Sequence, residues 1–184
     1  MAPSPSTGAA RGPVRPRVPV GDDRPRLTCD DCGFIHYVNP RIVVGVVPRW
    51  GDEILLARRA IDPRKGFWTI PAGYLEVGET LQAGAVRETW EEARARVALE
   101  DLIGVYNIPR IGQVYMVFRG RMLSADHAAG PESVETGLFT WERLPWDQLA
   151  FPSVRWALTH DRERGAAPGA APSFETPAMH WERA

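Results

Sequence analysis

The chain has 184 residues, a formal net charge of −1, 44% apolar residues and 24% charged residues, which is ordinary globular composition. The near-neutral charge argues against a general nucleic-acid-binding protein, and no apolar run is long enough for a transmembrane helix. Cys29 and Cys32 are too few and too close together for a disulfide framework, so we expect a reducing, cytoplasmic location.

The two ends of the chain have the composition of disordered tails. Residues 1–21 contain five prolines and no acidic residue. A targeting peptide is the alternative there, although the prolines oppose the amphipathic helix that such a peptide needs. Residues 165–184 are rich in Ala, Gly and Pro. Between the tails we expect a short lead-in at residues 22–38 and the main domain at residues 39–164.

The main domain contains predicted strands and helices that do not strictly alternate. β-Branched and apolar runs predict the strands, and turn residues separate them. The expected strands are residues 41–49, 53–58, 66–73, 97–106, 113–121 and 137–142, and the expected helices are residues 78–95 and 153–164. Ser153 is a candidate N-cap of the second helix. The mixture predicts an α/β fold with a mixed sheet and helices packed against it.

The first predicted helix has two distinct faces. Apolar residues recur at spacings of three and four, which predicts a buried face made of Ala83, Val86, Trp90, Ala93 and Val97. Glu88, Glu91 and Glu92 lie at offsets i, i+3 and i+4 on the opposite face, which we expect to face solvent.

Helix formation alone does not explain this cluster of glutamates. Glu88 and Glu92 are a like-charge i,i+4 pair, and acidic residues toward the end of a helix oppose its dipole. Mg²⁺ favours carboxylate and water oxygens and commonly binds together with substrate phosphates. The glutamates are therefore candidate metal ligands, and the alternative is a solvated acidic face on which Arg87 pairs with Glu91.

The spacing around the glutamates matches a family motif. Gly73 is followed by five residues and Glu79, then by seven residues and the pairs at 87–88 and 91–92, which are Arg-Glu and Glu-Glu. This pattern resembles the Nudix box of the Nudix hydrolases, and the LLARR and WTIP segments before it are similar to that family too. The resemblance covers about residues 22–164. It implies an α/β/α sandwich with a mixed sheet and a catalytic loop–helix–loop.

The resemblance also implies metal ligands and the chemistry that they support. Glu88, Glu91 and Glu92, with the carbonyl of Ala72, would hold Mg²⁺ or Mn²⁺. The reaction would be hydrolysis of a nucleoside diphosphate linked to another group, which needs neutralised phosphates and an oriented water. The alternative is a Nudix-like module that senses or binds a nucleotide without cleaving it, but all the acidic positions of the box are present.

Further roles follow from the same resemblance. Glu79 and Arg87 would brace the loop–helix–loop. Glu88 or Glu91 is the first candidate for the general base. Glu132 and Glu135 are the alternatives, unless they are only exposed loop acids.

The box departs from the family pattern at Thr89, where an aliphatic residue is usual, and at Arg94, where the family has glycine. A glycine that ends a helix usually meets a backbone requirement, so we expect a changed helix exit with catalysis intact.

The lead-in carries half of a zinc-binding motif. Cys29 and Cys32, followed by Gly33, are one C-x₂-C-G knuckle, and a structural zinc site needs four ligands. His36 would still leave the site open. The lead-in resembles a Nudix subgroup with a four-cysteine zinc ribbon, of which the first pair is missing here. We interpret the cysteines as a vestigial pair that binds no zinc; zinc shared across a homodimer and simple thiols are the alternatives.

The lead-in also bears on the substrate, since it resembles the subgroup that hydrolyses FAD and ADP-ribose. FAD would give AMP and FMN, and ADP-ribose would give AMP and ribose 5-phosphate. We expect a small-molecule nucleotide as partner, with neither nucleic acid nor membrane. The candidate substrate contacts are Arg59, Trp68, Tyr106 and Glu135, together with Arg58, Arg110, Tyr115 and Phe118. Core packing is the alternative role of the aromatic residues, and surface charge is the alternative role of the arginines.

Overall fold

The structure is a computed structural model that describes residues 12–165, 169 and 171–173. The chain divides into two compact units, with the division between Asn39 and Pro40. Among the described residues, no helix has the length and the apolar character needed to span a bilayer.

The first unit is a small antiparallel sheet. Its strands, in the spatial order β1–β2–β3, are β1 (Arg15–Arg17), β2 (Arg26–Thr28) and β3 (Ile35–His36). The expectation of disorder through residue 21 is wrong over β1, because this strand pairs with β2. Asp30 adds ion pairs to Arg15 at 2.8 Å and to Arg17 at 2.7 Å. Residues 1–11 lie outside the described part of the chain.

The second unit contains the remaining strands and both helices. They are β4 (Arg41–Trp50), β5 (Glu53–Arg59), β6 (Trp68–Thr69), β7 (Ala72–Tyr74), α1 (Leu81–Ala93), β8 (Val97–Ile108), β9 (Gln113–Met122), β10 (Ser133–Phe139) and α2 (Pro152–Gly165). Single 3₁₀ turns occur at Pro109–Ile111, Trp141–Arg143 and Trp146–Gln148. The strand expected at residues 66–73 is divided into β6 and β7, and the last strand lies earlier than the predicted 137–142.

The main sheet is mixed, as the sequence predicts. Its order is β10–β5–β4–β9–β8, and β6 and β7 pair with β5 and β4. Strands β4 and β9 run parallel, whereas the other neighbours are antiparallel. The central strand β4 therefore has β7 and β5 on one side and β9 on the other.

The two helices cover opposite faces of this sheet. Successive residues of a strand point to opposite faces, and on β4 Val44 and Val46 pack with Ala85 of α1. Val47 packs instead in the cluster that contains Leu158 of α2. Each of the fully buried valine and leucine side chains contributes about 1.5–3 kcal/mol relative to exposure. The arrangement confirms the α/β/α sandwich.

The predicted buried face of α1 is only partly confirmed, since Ala93 and Val97 are buried but Ala83 is exposed. Val86 is 37% exposed and Trp90 is 41% exposed, whereas the buried face carries Ala85, Glu88, Thr89 and Glu92. The Thr89 hydroxyl donates a hydrogen bond to the Ala85 carbonyl of its own helix at 2.8 Å, so it can be buried. Because Ala85 is also small, the helix can lie close to the sheet. Glu88 and Glu92 thus lie against Gly73 and Ala72 of β7, whereas the Glu91 side chain is 53% exposed.

The described part of the C-terminal segment is also ordered by pairing. Ser173 accepts a hydrogen bond from the Val105 amide at 2.9 Å and donates one to the Ile103 carbonyl at 3.0 Å. The expectation of disorder over residues 165–184 therefore fails at Gly165, which belongs to α2, and at Ser173. Residues 166–168, 170 and 174–184 lie outside the described part of the chain.

Candidate active site

The predicted motif folds as a strand, a loop and a helix. Strand β7 leads into the loop at residues 75–80, and α1 begins at Leu81. Thr80 has extended backbone angles and caps the helix, since its side chain accepts a hydrogen bond from the Ala83 amide at 3.1 Å. The cap fixes the point at which the loop turns into the helix that carries the glutamates.

Arg87 connects the loop to the helix. Its Nε donates to Glu79 Oε2 at 3.1 Å and its Nη2 donates to Glu79 Oε1 at 2.7 Å. Nη2 also donates to the Tyr74 carbonyl at 3.0 Å, and Nη1 donates to Glu88 at 2.7 Å and to Glu91 at 3.0 Å. One guanidinium therefore contacts the strand, the loop and two of the helix carboxylates.

Glu92 is a buried carboxyl group held against the edge of β7. It is only 7% exposed, and its Oε2 accepts a hydrogen bond from the Ala72 amide at 3.0 Å. Burial raises the pKa of Glu92 to about 8, although the Ala72 hydrogen bond acts in the opposite direction. Its charged form is thus disfavoured unless a cation is near.

Glu88 lies in the same crowded place. Burial raises its pKa, and Arg87 opposes this effect. A Cβ atom placed on Gly73 would overlap the carboxyl group of Glu88. Glycine at this position therefore keeps open the space in which the carboxylate meets the backbone of β7.

The donor set of this site fits a hard divalent cation. Within the described residues, no three carboxylate, imidazole or thiol groups are already gathered as a metal centre. The available ligands are the carboxylates of Glu88, Glu91 and Glu92 and the carbonyl of Ala72, and such oxygen ligands suit Mg²⁺ or Mn²⁺. The raised pKa values of Glu88 and Glu92 indicate negative charge that a bound cation would stabilise.

The three glutamates form one side of a cleft of about 1170 Å³. Its other sides come from distant parts of the chain, among them Arg59, Arg110, Tyr115, Glu132, Ser153 and Trp156. A smaller cavity of about 160 Å³ beside Asp161 is lined by none of the motif residues. The large cleft is therefore the candidate site.

The cleft brings together some of the predicted substrate contacts. Arg59, Arg110 and Tyr115 line it, and so does Glu132, one of the alternative general bases. The charge of Glu132 contributes to the raised pKa values of Glu88 and Glu92, which places it within electrostatic reach of both.

Other predicted contacts lie elsewhere. Tyr106 is 0% exposed, and its hydroxyl lies 2.9 Å from Nδ1 of His160 in the core. Trp68 packs edge-on against Phe139, with 5.0 Å between ring centres. These positions correct the expected stacking roles and match the core-packing alternative, which also describes the buried Phe118. Neither Glu135 nor Arg58 lines the cleft; they form an exposed ion pair at 2.8 Å.

Sequence reasoning missed the contribution of α2. Phe151, Ser153 and Trp156 line the cleft, yet Ser153 was expected only as a helix cap. No local pattern marks these residues, because they reach the cleft only when α2 packs on the face of the sheet opposite α1. The alternating directions of side chains along β4 predict a second buried face of the sheet, opposite α1, but they do not identify the helix that covers it.

The expected change in the helix exit at Arg94 is not found. Arg94 adopts the left-handed conformation, with φ 50° and ψ 21°, and its amide donates to the Trp90 carbonyl at 3.0 Å. The helix exit is therefore the one that glycine favours, and arginine occupies it despite the strain on a residue with a Cβ. The guanidinium lies over the Trp90 ring, 5.6 Å from its centre.

The segment that contains Cys29 and Cys32, here called the half-knuckle, forms a tight turn in the first unit. The Cys29 amide donates to the Phe34 carbonyl at 2.8 Å, and the Gly33 amide donates to the Cys29 carbonyl at 3.0 Å. Cys29 is buried, Cys32 is exposed, and both are free thiols. The backbone amide of Cys32 is the largest cause that lowers the pKa of the Cys29 thiol. Within the described residues, no further ligand joins the pair to complete a metal site.

Comparison with known proteins agrees with this geometry. The NUDIX domain model matches residues 39–162, and the Nudix N-terminal zinc-ribbon model matches residues 11–38. A crystal structure of a NUDIX hydrolase from Nitrosomonas europaea is 41% identical, with a TM-score of 0.84 over 95% of this chain and 97% of that chain.

Two curated relatives carry functional names. An ADP-ribose pyrophosphatase of Methanocaldococcus jannaschii is 32% identical over 62% of this chain and 69% of that protein. An NAD-capped RNA hydrolase, NudC, of Edwardsiella ictaluri is 33% identical over 64% of this chain. The chain spans only 46% of the length of that hydrolase. Because the NUDIX model covers more than half of the chain and the motif is assembled at the cleft, the chain belongs to the NUDIX domain family and is a Nudix hydrolase.

Proposed function

We propose that this Nudix hydrolase cleaves the diphosphate of a nucleotide that carries a second organic group, with Mg²⁺ or Mn²⁺ as cofactor. FAD would give AMP and FMN, and ADP-ribose would give AMP and ribose 5-phosphate. The observation that carries the proposal is the cluster of Glu88, Glu91 and Glu92 at the side of a cleft of about 1170 Å³.

The residues of the box would divide the work. Glu88, Glu91, Glu92 and the carbonyl of Ala72 would hold the cation, which neutralises phosphate charge and makes a bound water more acidic. Arg87, through its hydrogen bonds to Glu79 and to the Tyr74 carbonyl, would keep the loop and the helix in register. Such positioning matters because a small displacement of reacting groups costs a large factor in rate.

The general base would come from the acids around the cleft. Glu88 and Glu91 remain the first candidates, since both lie on the cleft side of α1. Of the two loop acids, Glu132 lines the cleft, whereas Glu135 is engaged by Arg58 outside it. Glu132 is therefore the better of these two alternatives.

The size and lining of the cleft support a substrate with two organic arms. A space of about 1170 Å³ is larger than a diphosphate alone requires, and Phe151 and Trp156 offer rings beside it. The name of the Methanocaldococcus relative supports ADP-ribose as one such substrate. The two free cysteines suit a reducing compartment, so a cytoplasmic location belongs to the same proposal.

The test is a panel of substrates assayed with Mg²⁺ and analysed by chromatography of the products. FAD, ADP-ribose, NADH, diadenosine polyphosphates, nucleoside triphosphates and NAD-capped RNA would be compared by initial rates. We expect AMP from FAD and from ADP-ribose. Triphosphates should be slower by roughly 10–200-fold in kcat/KM, because they lack the second organic arm.

Two outcomes would change the assignment. Faster hydrolysis of triphosphates or of NAD-capped RNA would overturn the substrate while leaving the metal-dependent mechanism intact. Tight binding of ADP-ribose without any turnover would instead favour the alternative, a module that binds the nucleotide without cleaving it.

A further inference from the structure

The cleft has a second chemical feature, beside the glutamates. The side chains of Tyr115 and Ser153 both line it, and they are only 5% and 6% exposed as residues. The hydrogen bonds recorded among the described residues include none made by either hydroxyl. Among these residues, Arg164 Nε is the one side-chain polar atom sealed from solvent without a partner. Both hydroxyls are therefore open to the cleft and available to a ligand.

Arg59 brings positive charge to the same region. Its Nε donates to the Pro63 carbonyl at 2.9 Å, and its guanidinium lies over the ring of Phe151, 5.3 Å from the ring centre. Burial raises the pKa of Tyr115, and the charge of Glu92 raises it further. Arg59 opposes the raised pKa values of both Tyr115 and Glu92, so its guanidinium lies within electrostatic reach of both groups. Arg59 thus lines the same cleft as the glutamates and contacts Phe151, the residue that precedes α2.

The beginning of α2 adds the third element. Ser153 belongs to the first turn of this 14-residue helix, which starts at Pro152 and has no acidic side chain in that turn. The positive end of the helix dipole is therefore not neutralised by its own side chains. Pro152 has no amide hydrogen and the Val154 amide donates to the Phe151 carbonyl at 3.1 Å, so the helix contributes mainly its dipole. This dipole, together with a hydroxyl group and an arginine, favours a ligand with several anionic oxygens.

We propose that Ser153, Tyr115, Arg59 and the first turn of α2 form a phosphate subsite beside the glutamates, which holds the substrate oxygens that the cation does not bind. This inference rests on the proposed function, since it assigns the second phosphate contact of the same cleft. The glutamate side would take the cation, and the α2 side would take the anion. A diphosphate between them would be oriented by contacts of opposite sign.

Binding of inorganic pyrophosphate to the metal-free protein tests the subsite without catalysis. After chelation and dialysis, calorimetry would compare the wild type with Ser153→Ala and Tyr115→Phe. The matched controls are Ser124→Ala, which removes a hydroxyl bonded to Asp126 outside the cleft, and Tyr37→Phe, which changes an exposed ring of the first unit. Thermal melting would check that each variant folds.

We expect each cleft variant to weaken pyrophosphate binding by about tenfold or more, as loss of a hydrogen bond to a charged group does. The controls should retain the wild-type affinity. No binding by the wild type, or equal affinities in wild type and both cleft variants, would overturn the subsite. If Tyr115→Phe does not fold, Ser153→Ala decides the question alone, because alanine suits the first turn of a helix.

Steady-state kinetics separate this inference from the proposed function. With ADP-ribose and Mg²⁺, Ser153→Ala should raise KM while kcat changes little, as expected for loss of a ground-state contact. Pyrophosphate binding that depends on Ser153 in a protein that cleaves no dinucleotide would refute the proposed function alone. Hydrolysis of ADP-ribose with pyrophosphate affinity unaffected by either variant would refute the subsite alone.

Discussion

Arg87 donates two hydrogen bonds to Glu79, from Nε to Oε2 at 3.1 Å and from Nη2 to Oε1 at 2.7 Å. These bonds connect the loop at residues 75–80 to the middle of α1. The same side chain reaches Glu88, Glu91 and the Tyr74 carbonyl. A planar fork with five donors can make these contacts together, and a lysine ammonium cannot.

Replacement of Arg87 by lysine should therefore reduce activity while the charge is kept. We expect kcat/KM on ADP-ribose to fall by roughly 10–100-fold, since partners that orient metal ligands have effects of this size. Arg121→Lys, at an exposed position of β9, is the matched control and should behave as the wild type. If Arg87→Lys has the kcat/KM of the wild type, the two hydrogen bonds from Arg87 to Glu79 are not needed for activity.

Gly73 should tolerate no side chain without loss of activity. Alanine at this position would place a Cβ on the carboxyl group of Glu88, so the glutamate must move. We expect Gly73→Ala to lose about 100-fold or more in kcat, since a displacement of about 1 Å costs this much. Gly12→Ala is the control, because nothing lies within 4 Å of the added atom there. Full activity of Gly73→Ala would mean that Glu88 need not occupy the observed position.

The sequence was sufficient to predict the local parts of this architecture. The β-branched run of β4, its neighbour β5 and the periodic pattern of α1 are short-range signals, and each element lies close to its expected place. The spacing of the glutamates also predicted correctly that they share one face of α1. The pattern did not contain the side on which the sheet lies, so Glu88 and Glu92 are buried and Val86 and Trp90 are exposed, the reverse of the prediction.

The opposite side of the cleft depends on long-range packing. Tyr115 and Ser153 both line it because β9 lies next to β4 and because α2 covers the face of the sheet away from α1. Tyr106 and Trp68 were attractive as stacking residues by type alone. Their core positions follow from partners, His160 and Phe139, that no local pattern identifies.

The stability of the metal-free protein should fall as pH rises. The pKa of Glu92 is raised from 4.5 to about 8 in the folded state, so folding favours the protonated form. Its contribution to the free energy of unfolding is complete below 4.5 and is lost as pH rises through about 8. Thermal melts of the chelated protein across about pH 5 to 8 should show this decline.

The variant Glu92→Gln provides the control for this pH dependence. Its amide oxygen can still accept the hydrogen bond from Ala72, but it does not titrate. The decline should therefore be smaller in the variant, and added Mg²⁺ should stabilise the wild type more at high pH than at low pH, since the cation competes with the proton. Identical pH profiles in the wild type and Glu92→Gln would contradict the assignment.

The half-knuckle should be dispensable for the hydrolase. Two thiols do not close a structural zinc site, and Asp30 already joins the turn to β1 through Arg15 and Arg17. Replacement of Cys29 and Cys32 by serine should leave the melting temperature and the rate on ADP-ribose nearly unchanged. Stoichiometric zinc in the purified protein, together with unfolding of the double variant, would refute the interpretation of a vestigial pair.

The most direct test of metal-dependent hydrolysis is the rate of Glu91→Gln on ADP-ribose with Mg²⁺. The Glu91 side chain is 53% exposed, so the substitution should leave the melting temperature near that of the wild type. Loss of a metal ligand should nevertheless lower kcat by roughly 100-fold or more. Glu100→Gln, at an exposed position of β8, is the matched control. A wild-type kcat in Glu91→Gln, or undiminished hydrolysis by the wild type after chelation of divalent cations, would contradict the account.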